Sequence, residues 1–439
     1  MISVRRAAAA LAAGAVLSTT AAGVAAAAPS PTPSPVRIPA GLYGKTDPTY
    51  DGVWRQSLAF LAQRTSGIQP ADQAVDWLLG QQCANGGFAA YRTDPAKACD
   101  AKTMPDSNST AVAVQALGAV KRQSADPAKT EKAVKAGVAW LKSVQNKDGG
   151  WSYLPGGLSD ANSTSIVIGS LAASSVRPGA VKSADGKTPY DALLTFALPC
   201  TGEAAEGTGG EAAKGAGSEA AKAAAGGTGA FAYQPDKNGK LLANADATAA
   251  ATLAGLGKGI TARGAQPEQK PVCTDQPARP TPERAALNGA SYLAAQLAET
   301  GHLTAPPMPG ATEPAALPDY GNTADAVVAL AASGAKKEAT GALAWLEKNS
   351  ANWAETSGPA AYAQLVFAAH AMDTDPRSFG TVDLLEKLNA TGPAPKAPDN
   401  SQASAGADED EGGFDVWWII GIGTVVGVGI GFLLSGRKK

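Results

Sequence analysis

The chain has 439 residues, with 37 basic and 39 acidic side chains and a formal net charge of −2. That balance, without a basic stripe of interleaved aromatics, argues against nucleic acid as a partner. Four cysteines and two histidines match no zinc spacing, so neither a metal nor a cofactor is expected, and no nucleophile–base motif or other catalytic residue stands out.

Residues 1–28 read as a signal peptide: Arg5 and Arg6 precede the short apolar core "AAAALAAGAVL", and small residues near Ala26 to Ala28 suit cleavage. That core is too short to span a bilayer by itself. Residues 29–50 begin with "PSPTPSPVRIP" and read as a Pro-rich linker. From 51 to 390 the pattern is helical, with little strand alternation. Helices rich in larger side chains are expected on the outside, at about 70–83, 126–146, 188–198, 281–298, 336–349 and 379–389. Helices made almost wholly of Ala, Val, Gly, Ser and Leu are expected inside, at about 52–65, 108–122, 162–175, 246–258, 322–333 and 357–372.

A repeat underlies this alternation. "WLLGQQCANGGF" from Trp77 aligns without a gap with "WLKSVQNKDGGW" from Trp140, and "GTGAFAY" from Gly227 is a weaker relative. A polar group of constant spacing follows each turn: Asp106-Ser-Asn-Ser-Thr110, Asp160-Ala-Asn-Ser-Thr164, Asn244-Ala-Asp-Ala-Thr248 and Asp319-Tyr-Gly-Asn-Thr323. Such recurrence marks a quasi-symmetric array. In each unit the glycines are expected to end an outer helix in a left-handed cap. The aromatic after them, Phe88 or Trp151, plugs a gap, and the polar group caps an inner helix. Six helices of each kind predict a closed ring, with an open solenoid as the alternative.

In a ring the inner starts converge on one mouth with free backbone N–H groups. The candidate ligand-binding residues there are Asp106, Asn108, Thr110, Asp160, Asn162, Thr164, Asp246, Thr248, Asn322 and Thr323. Tyr153, Tyr233 and Tyr320 form an aromatic rim. Helix capping alone is the competing explanation for the polar ones. Four cysteines in an exported chain suggest disulfides. Three pairings are open, and the shortest loops join Cys83 to Cys99 and Cys200 to Cys273. Residues 205–228 read as a low-complexity surface insertion and 391–415 as a flexible acidic linker. Residues 416–434 read as a transmembrane helix with Trp417 and Trp418 at its outer edge. Arg437, Lys438 and Lys439 place the 435–439 tail in the cytoplasm and the body outside, at the cell membrane in a single pass. Gly423, Gly427 and Gly431 form a small-residue ridge suited to pairing two anchors.

The Gln-x-x-x-Gly-Gly-aromatic turns at 82–88 and 145–151 resemble the repeats of squalene and terpene cyclases and protein prenyltransferases. The Asp-x-Asn-Ser-Thr helix starts are similar to those of the cobalamin carriers intrinsic factor and transcobalamin. This resemblance covers most of 51–390. It implies an all-α (α/α)6 toroid and a non-catalytic member that captures a small molecule, a corrinoid such as cobalamin, for an uptake transporter. Several departures count against enzymatic relatives. The Asp-x-Asp-Asp acid cluster is missing, and "PDSNS" and "SDANS" supply one carboxylate each, with no visible partner to raise its pKa. The zinc ligands of prenyltransferases are missing too, and "CTGE" at Cys200 lacks thioester spacing. No β domain follows the ring as it does in the carriers. The expected functions, in order, are a membrane-anchored receptor, a cell-envelope interaction module with its mouth filled, and a terpenoid- or prenyl-processing enzyme.

Overall fold

The computed structural model describes residues 37–200, 228–277, 280–305 and 317–397. The expected signal peptide, membrane helix and cytoplasmic tail lie outside these residues, as do most of the insertion 205–228 and of the acidic linker. Among the described residues no helix is long and apolar enough to cross a membrane.

The chain is all-α. Its helices are α1 (Gly52–Thr65), α2 (Asp72–Gly80), α3 (Ser107–Val120), α4 (Pro127–Ser143), α5 (Ala161–Ala173) and α6 (Pro189–Leu193). There follow α7 (Ala245–Gly255), α8 (Pro282–Thr300), α9 (Tyr320–Ala332), α10 (Lys336–Asn349), α11 (Ala351–Ser357), α12 (Pro359–Ala371) and α13 (Leu384–Asn389). One two-residue ladder joins β1 (Leu303–Thr304) to β2 (Pro318–Asp319) in antiparallel register.

Small side chains set the packing order. Helices α3, α5, α7, α9 and α12 are the Ala-, Gly- and Ser-rich set, α1 joins them with larger side chains, and each of the six is buried over most of its circumference. A helix apolar all round must be covered on all sides. Accordingly α1 packs on α3, α3 on α5, α5 on α7, α7 on α9, α9 on α12, and α12 on α1. The helices with larger side chains lean on this set from one side each: α2 on α1, α4 on α3, α6 on α5, α8 on α7, α10 on α9 and α13 on α12. Close approach is enforced at Gly137 of α4, where a Cβ would lie 2.4 Å from a Val114 methyl of α3.

Helices α2, α4 and α7 each end three residues before the expected position, and three differences are larger. Helix α6 is one short turn, opened by a Thr188–Asp191 capping box and followed by a 3-10 turn to Phe196. The last helix starts at Leu384, because the Asp383 carboxylate accepts from the N–H groups of Leu385 and Glu386. An unexpected helix, α11, fills 351–357 and stops at Gly358, whose φ of 79° breaks it before α12. The second half of the expected linker belongs to the body. Tyr43 is fully buried, and the Arg55 guanidinium donates to the carbonyls of Tyr43, Thr46, Asp47 and Tyr50. The beginning of the acidic linker closes on the same place. The Tyr43 hydroxyl donates to the Pro393 carbonyl, and Lys396 pairs with Asp72 at 2.6 Å. Both disulfides form on the shortest-loop pairing, Cys83–Cys99 and Cys200–Cys273.

Candidate functional site

One set of bonds recurs four times and explains the repeat. The backbone N–H groups of Phe88, Trp151, Phe231 and Leu303 donate to the hydroxyls of Thr110 (2.8 Å), Thr164 (3.1 Å), Thr248 (2.9 Å) and Thr323 (2.9 Å). The carbonyls of Phe88, Trp151 and Phe231 accept from the N–H groups of Asp106, Asp160 and Asn244. In the fourth copy Leu303 pairs with Asp319 across the small ladder. Each polar start then caps its own helix. Asp106, Asp160, Asn244 and Asp319 accept through Oδ1 from the N–H three residues on, at 2.7, 2.6, 2.8 and 3.1 Å.

Thr110, Thr164, Thr248 and Thr323 are fully buried in these latches. They hold a turn against a helix and do not face a ligand, which corrects the expectation for all four.

The glycines also act differently from expectation. Helices α2 and α4 end at Gly80 and Ser143, several residues before the Gly-Gly pairs, so those pairs cap no helix. The invariant is a left-handed glycine two residues ahead of each anchor: Gly86, Gly149, Gly229 and Gly301, with φ of 93°, 96°, 73° and 73°. Only Gly301 is a helix C-cap. The motif glutamines bind the same turns, Gln82 donating to the Gly86 carbonyl and Gln145 to the Gly149 carbonyl.

A cavity of about 310 Å³ opens between the small-residue helices, and all six contribute to its wall. Trp54 and Leu58 come from α1, Asn108 and Gln115 from α3, and Asn162 and Ser165 from α5. Asp246 comes from α7, Asp325 and Val328 from α9, and Gln364 and Phe367 from α12. The loop after α7 brings Lys258 to Ile260 against the same space. There a Cβ on Gly259 would sit 2.7 Å from Gln115 Oε1. The volume is at the small end of the range of about 300–1,000 Å³ for small-molecule sites.

Two carboxylates share this space. Asn162 Nδ2 donates to Asp246 Oδ2 at 2.6 Å, and Gln364 Nε2 donates to Asp325 Oδ2 at 3.1 Å. Neither acid takes part in the ion pairs among the described residues. Burial, then the nearby Asp246 and Asp319, pushes Asp325 up to about 7 against the pull of the Gln364 bond. Burial also raises Asp246, offset by the bond from Asn162. Lys258, the cation on the wall, donates its Nζ to the Ala332 carbonyl at 2.7 Å, and burial lowers its pKa. Four buried polar atoms on the wall make no hydrogen bond among the described residues: Asn108 Oδ1, Asn162 Oδ1, Gln115 Nε2 and Ser165 Oγ.

Of the expected site residues, then, the structure gathers Asn108, Asn162 and Asp246 around the cavity. Asp106 and Asp160 are buried caps, and burial lifts Asp106 to about 6. Asn322 donates to the Asp319 carboxylate and completes a cap. The expected free N–H groups are also used: those of Ser107 and Ala161 donate to the carbonyls of Tyr153 and Tyr233. So these two tyrosines matter through their backbone, and their rings are part-exposed. Tyr153 lines a separate hollow with Tyr50 and Tyr91. Tyr320 is stacked between Trp345 (5.1 Å) and Trp353 (5.4 Å), with His302 on the far side of Trp345 at 4.2 Å.

Sequence reasoning missed Asp325, Gln364 and Gln115. Each is a lone polar side chain inside an otherwise apolar inner helix, in "ADAVVALAA", "AAYAQLVFAA" and "AVAVQALGAV". That isolation was the available signal.

No family model matches the chain, and no curated protein matches it. Among solved structures it is similar to a protein from Actinoplanes, at 14% identity, covering 77% of this chain and 95% of that one, with a TM-score of 0.45. A likeness of that degree carries no argument about function.

Proposed function

We propose that the chain closes an (α/α)6 toroid whose axial cavity captures one small molecule, in an exported protein tethered to the cell membrane by residues 416–434. The observation that carries this reading is the cavity itself: six helices converge on it and leave polar atoms unpaired. An unpaired buried donor or acceptor costs about 1–3 kcal/mol, and such groups are not needed to close a ring of small apolar residues. The cyclic packing order of the inner helices supports the toroid. Two disulfides fit an oxidising compartment outside the cytoplasm. Hand-over to an uptake transporter remains part of the proposal.

The ligand is small. A corrin macrocycle with its amide arms is larger than the cavity, so we do not place a corrinoid inside it. A cavity whose wall carries unpaired polar atoms counts against a scaffold whose mouth is plugged by its own side chains. One observation favours an enzymatic second reading: Asp325 beside Asp246 supplies the partnered acid that no stretch of sequence displayed.

Native mass spectrometry of the protein purified from its own host tests the proposal. A retained small molecule, lost in the double variant Asn108→Ala with Asn162→Ala, is expected. Release of a chemically altered molecule would favour the enzyme. An empty protein that binds nothing from a host extract would refute the receptor.

A further inference from the structure

We infer that the molecule held in the cavity is a small organic cation, an amine or guanidine of about amino-acid size, with its charge between the carboxylates of Asp246 and Asp325. This inference rests on the cavity being a small-molecule site and specifies the charge that the site selects.

The two carboxylates weight the wall toward acceptors. Beyond them, Asn108 Oδ1 and Asn162 Oδ1 are unpartnered acceptors, Gln115 Nε2 is an unpartnered donor, and the unpartnered Ser165 hydroxyl can serve as either. Gln115 and Ser165 are each about 4% exposed, so bulk water does not reach them freely. The amide groups of Asn162 and Gln364 already donate to the carboxylates. Lys258 is committed to the Ala332 carbonyl at the end of α9. Seven residues separate Ala332 from Asp325, roughly 10 Å along a helix.

Two half-buried acids therefore share the cavity without an ion-pair partner among the described residues. In such a place like charges cannot both ionise cheaply, and an added ammonium removes the conflict by standing between them. The remaining wall suits the rest of such a molecule: Trp54 and Phe367 contribute aromatic rings, and Leu58 and Val328 contribute aliphatic surface for a short alkyl chain. An anion would meet two carboxylates. A neutral polyol would find acceptors but no reason for the acids. A divalent metal would need more ligands, and no group of three or more His, Cys, Asp or Glu is placed to hold one among the described residues.

Isothermal titration of the full chain at pH 8 tests this, with 1,4-diaminobutane, its neutral isostere 1,4-butanediol, succinate and CaCl2 as probes. The expected result is one-to-one binding of the diamine, with the diol and succinate at least tenfold weaker. Asp246→Asn and Asp325→Asn should each weaken the diamine at least tenfold while leaving the helical circular dichroism unchanged. If the diol or succinate binds as well as the diamine, or the Asn variants keep full affinity, the cation inference fails and the small-molecule site survives. Calcium binding that excludes the diamine overturns the organic cation. If no probe binds and the host-purified protein carries no retained mass, the site reading falls as well.

Discussion

Replacing Asp325 by Asn should stabilise the protein, and only above a certain pH. The folded carboxyl titrates at about 7, against about 3.9 in an unfolded chain. A raised carboxyl pKa means that the native state binds the proton more tightly than the unfolded state. Stability then falls as pH rises from about 4 to about 7, and the full penalty persists above that window. Three units correspond to about 4 kcal/mol. The amide introduced by the substitution would need an acceptor of its own, which returns about 1 kcal/mol, so a gain of roughly 2–4 kcal/mol is expected at pH 8. An amide oxygen still accepts from Gln364 Nε2, so the bond that orients the side chain is kept. Asp51 and Asp106, both raised to about 6 by burial, titrate alike in parent and variant and cancel in the difference. Urea unfolding followed by circular dichroism at pH 4, 6, 7 and 8 reads the effect. At pH 4 the variant should be level with the parent or lower by up to about 1 kcal/mol, and at pH 8 it should have the higher midpoint. A difference that ignores pH, or a variant less stable at pH 8, would refute the reasoning.

Other outcomes follow from the latches and turns. Thr164→Val keeps the shape of the side chain but leaves the Trp151 N–H unpaired, and should cost about 1–3 kcal/mol in thermal unfolding without altering ligand affinity; Thr164→Ser should restore most of it. Gly149→Ala meets both a φ of 96° and a Cβ only 2.2 Å from the Thr188 carbonyl oxygen, so a loss of about 3 kcal/mol or more is expected. Gly67→Ala, at φ 75° with open space around it, is the control and should cost only about 1 kcal/mol. Reducing Cys200–Cys273, or replacing both cysteines by Ser, should lower stability by about 2–5 kcal/mol, visible as a lower melting temperature than in the oxidised parent.

The helices were legible because their causes are local. Ala-rich runs with Asp or Asn at their start announce an inner helix, and α1, α3 and α5 begin or end within a residue or two of the expected positions. Short connections read less well. Helix α6 gives way after one turn to the 3-10 turn Leu194–Phe196, and the fourth anchor is Leu303, which carries no aromatic signature. Glycine spacing would have found it, since Gly301 stands two residues ahead as Gly86 and Gly149 do.

The site itself divides along helical geometry. At about 100° per residue, the capping residue and the Thr four positions later differ by about 40° and share one side. That side faces the Gly-containing turn, where the backbone N–H of Asp106 or Asp160 and the hydroxyl of Thr110 or Thr164 bind the same anchor. Positions two, six and nine after the cap fall at about 200°, 240° and 180°, a narrow stripe on the opposite side. Most cavity residues of five helices occupy it, and Ser165 and Ala249, five positions after their caps, widen it to about 140°. Asn108, Asn162 and Asp246 are at the second position, Asp325 and Gln364 at the sixth, and Gln115, Val328 and Phe367 at the ninth. A cluster that looks like one functional group in sequence is therefore two: one half closes the fold, and the other half looks inward. The polar members of the inward stripe are unevenly shared, with both acids on neighbouring helices α7 and α9. That asymmetry within a repeated frame would give a charged ligand a preferred orientation, and it predicts that exchanging Asp325 and Val328 for the residues at the same positions of α5, Ile and Gly, would abolish the binding of 1,4-diaminobutane in isothermal titration while leaving the helical circular dichroism unchanged.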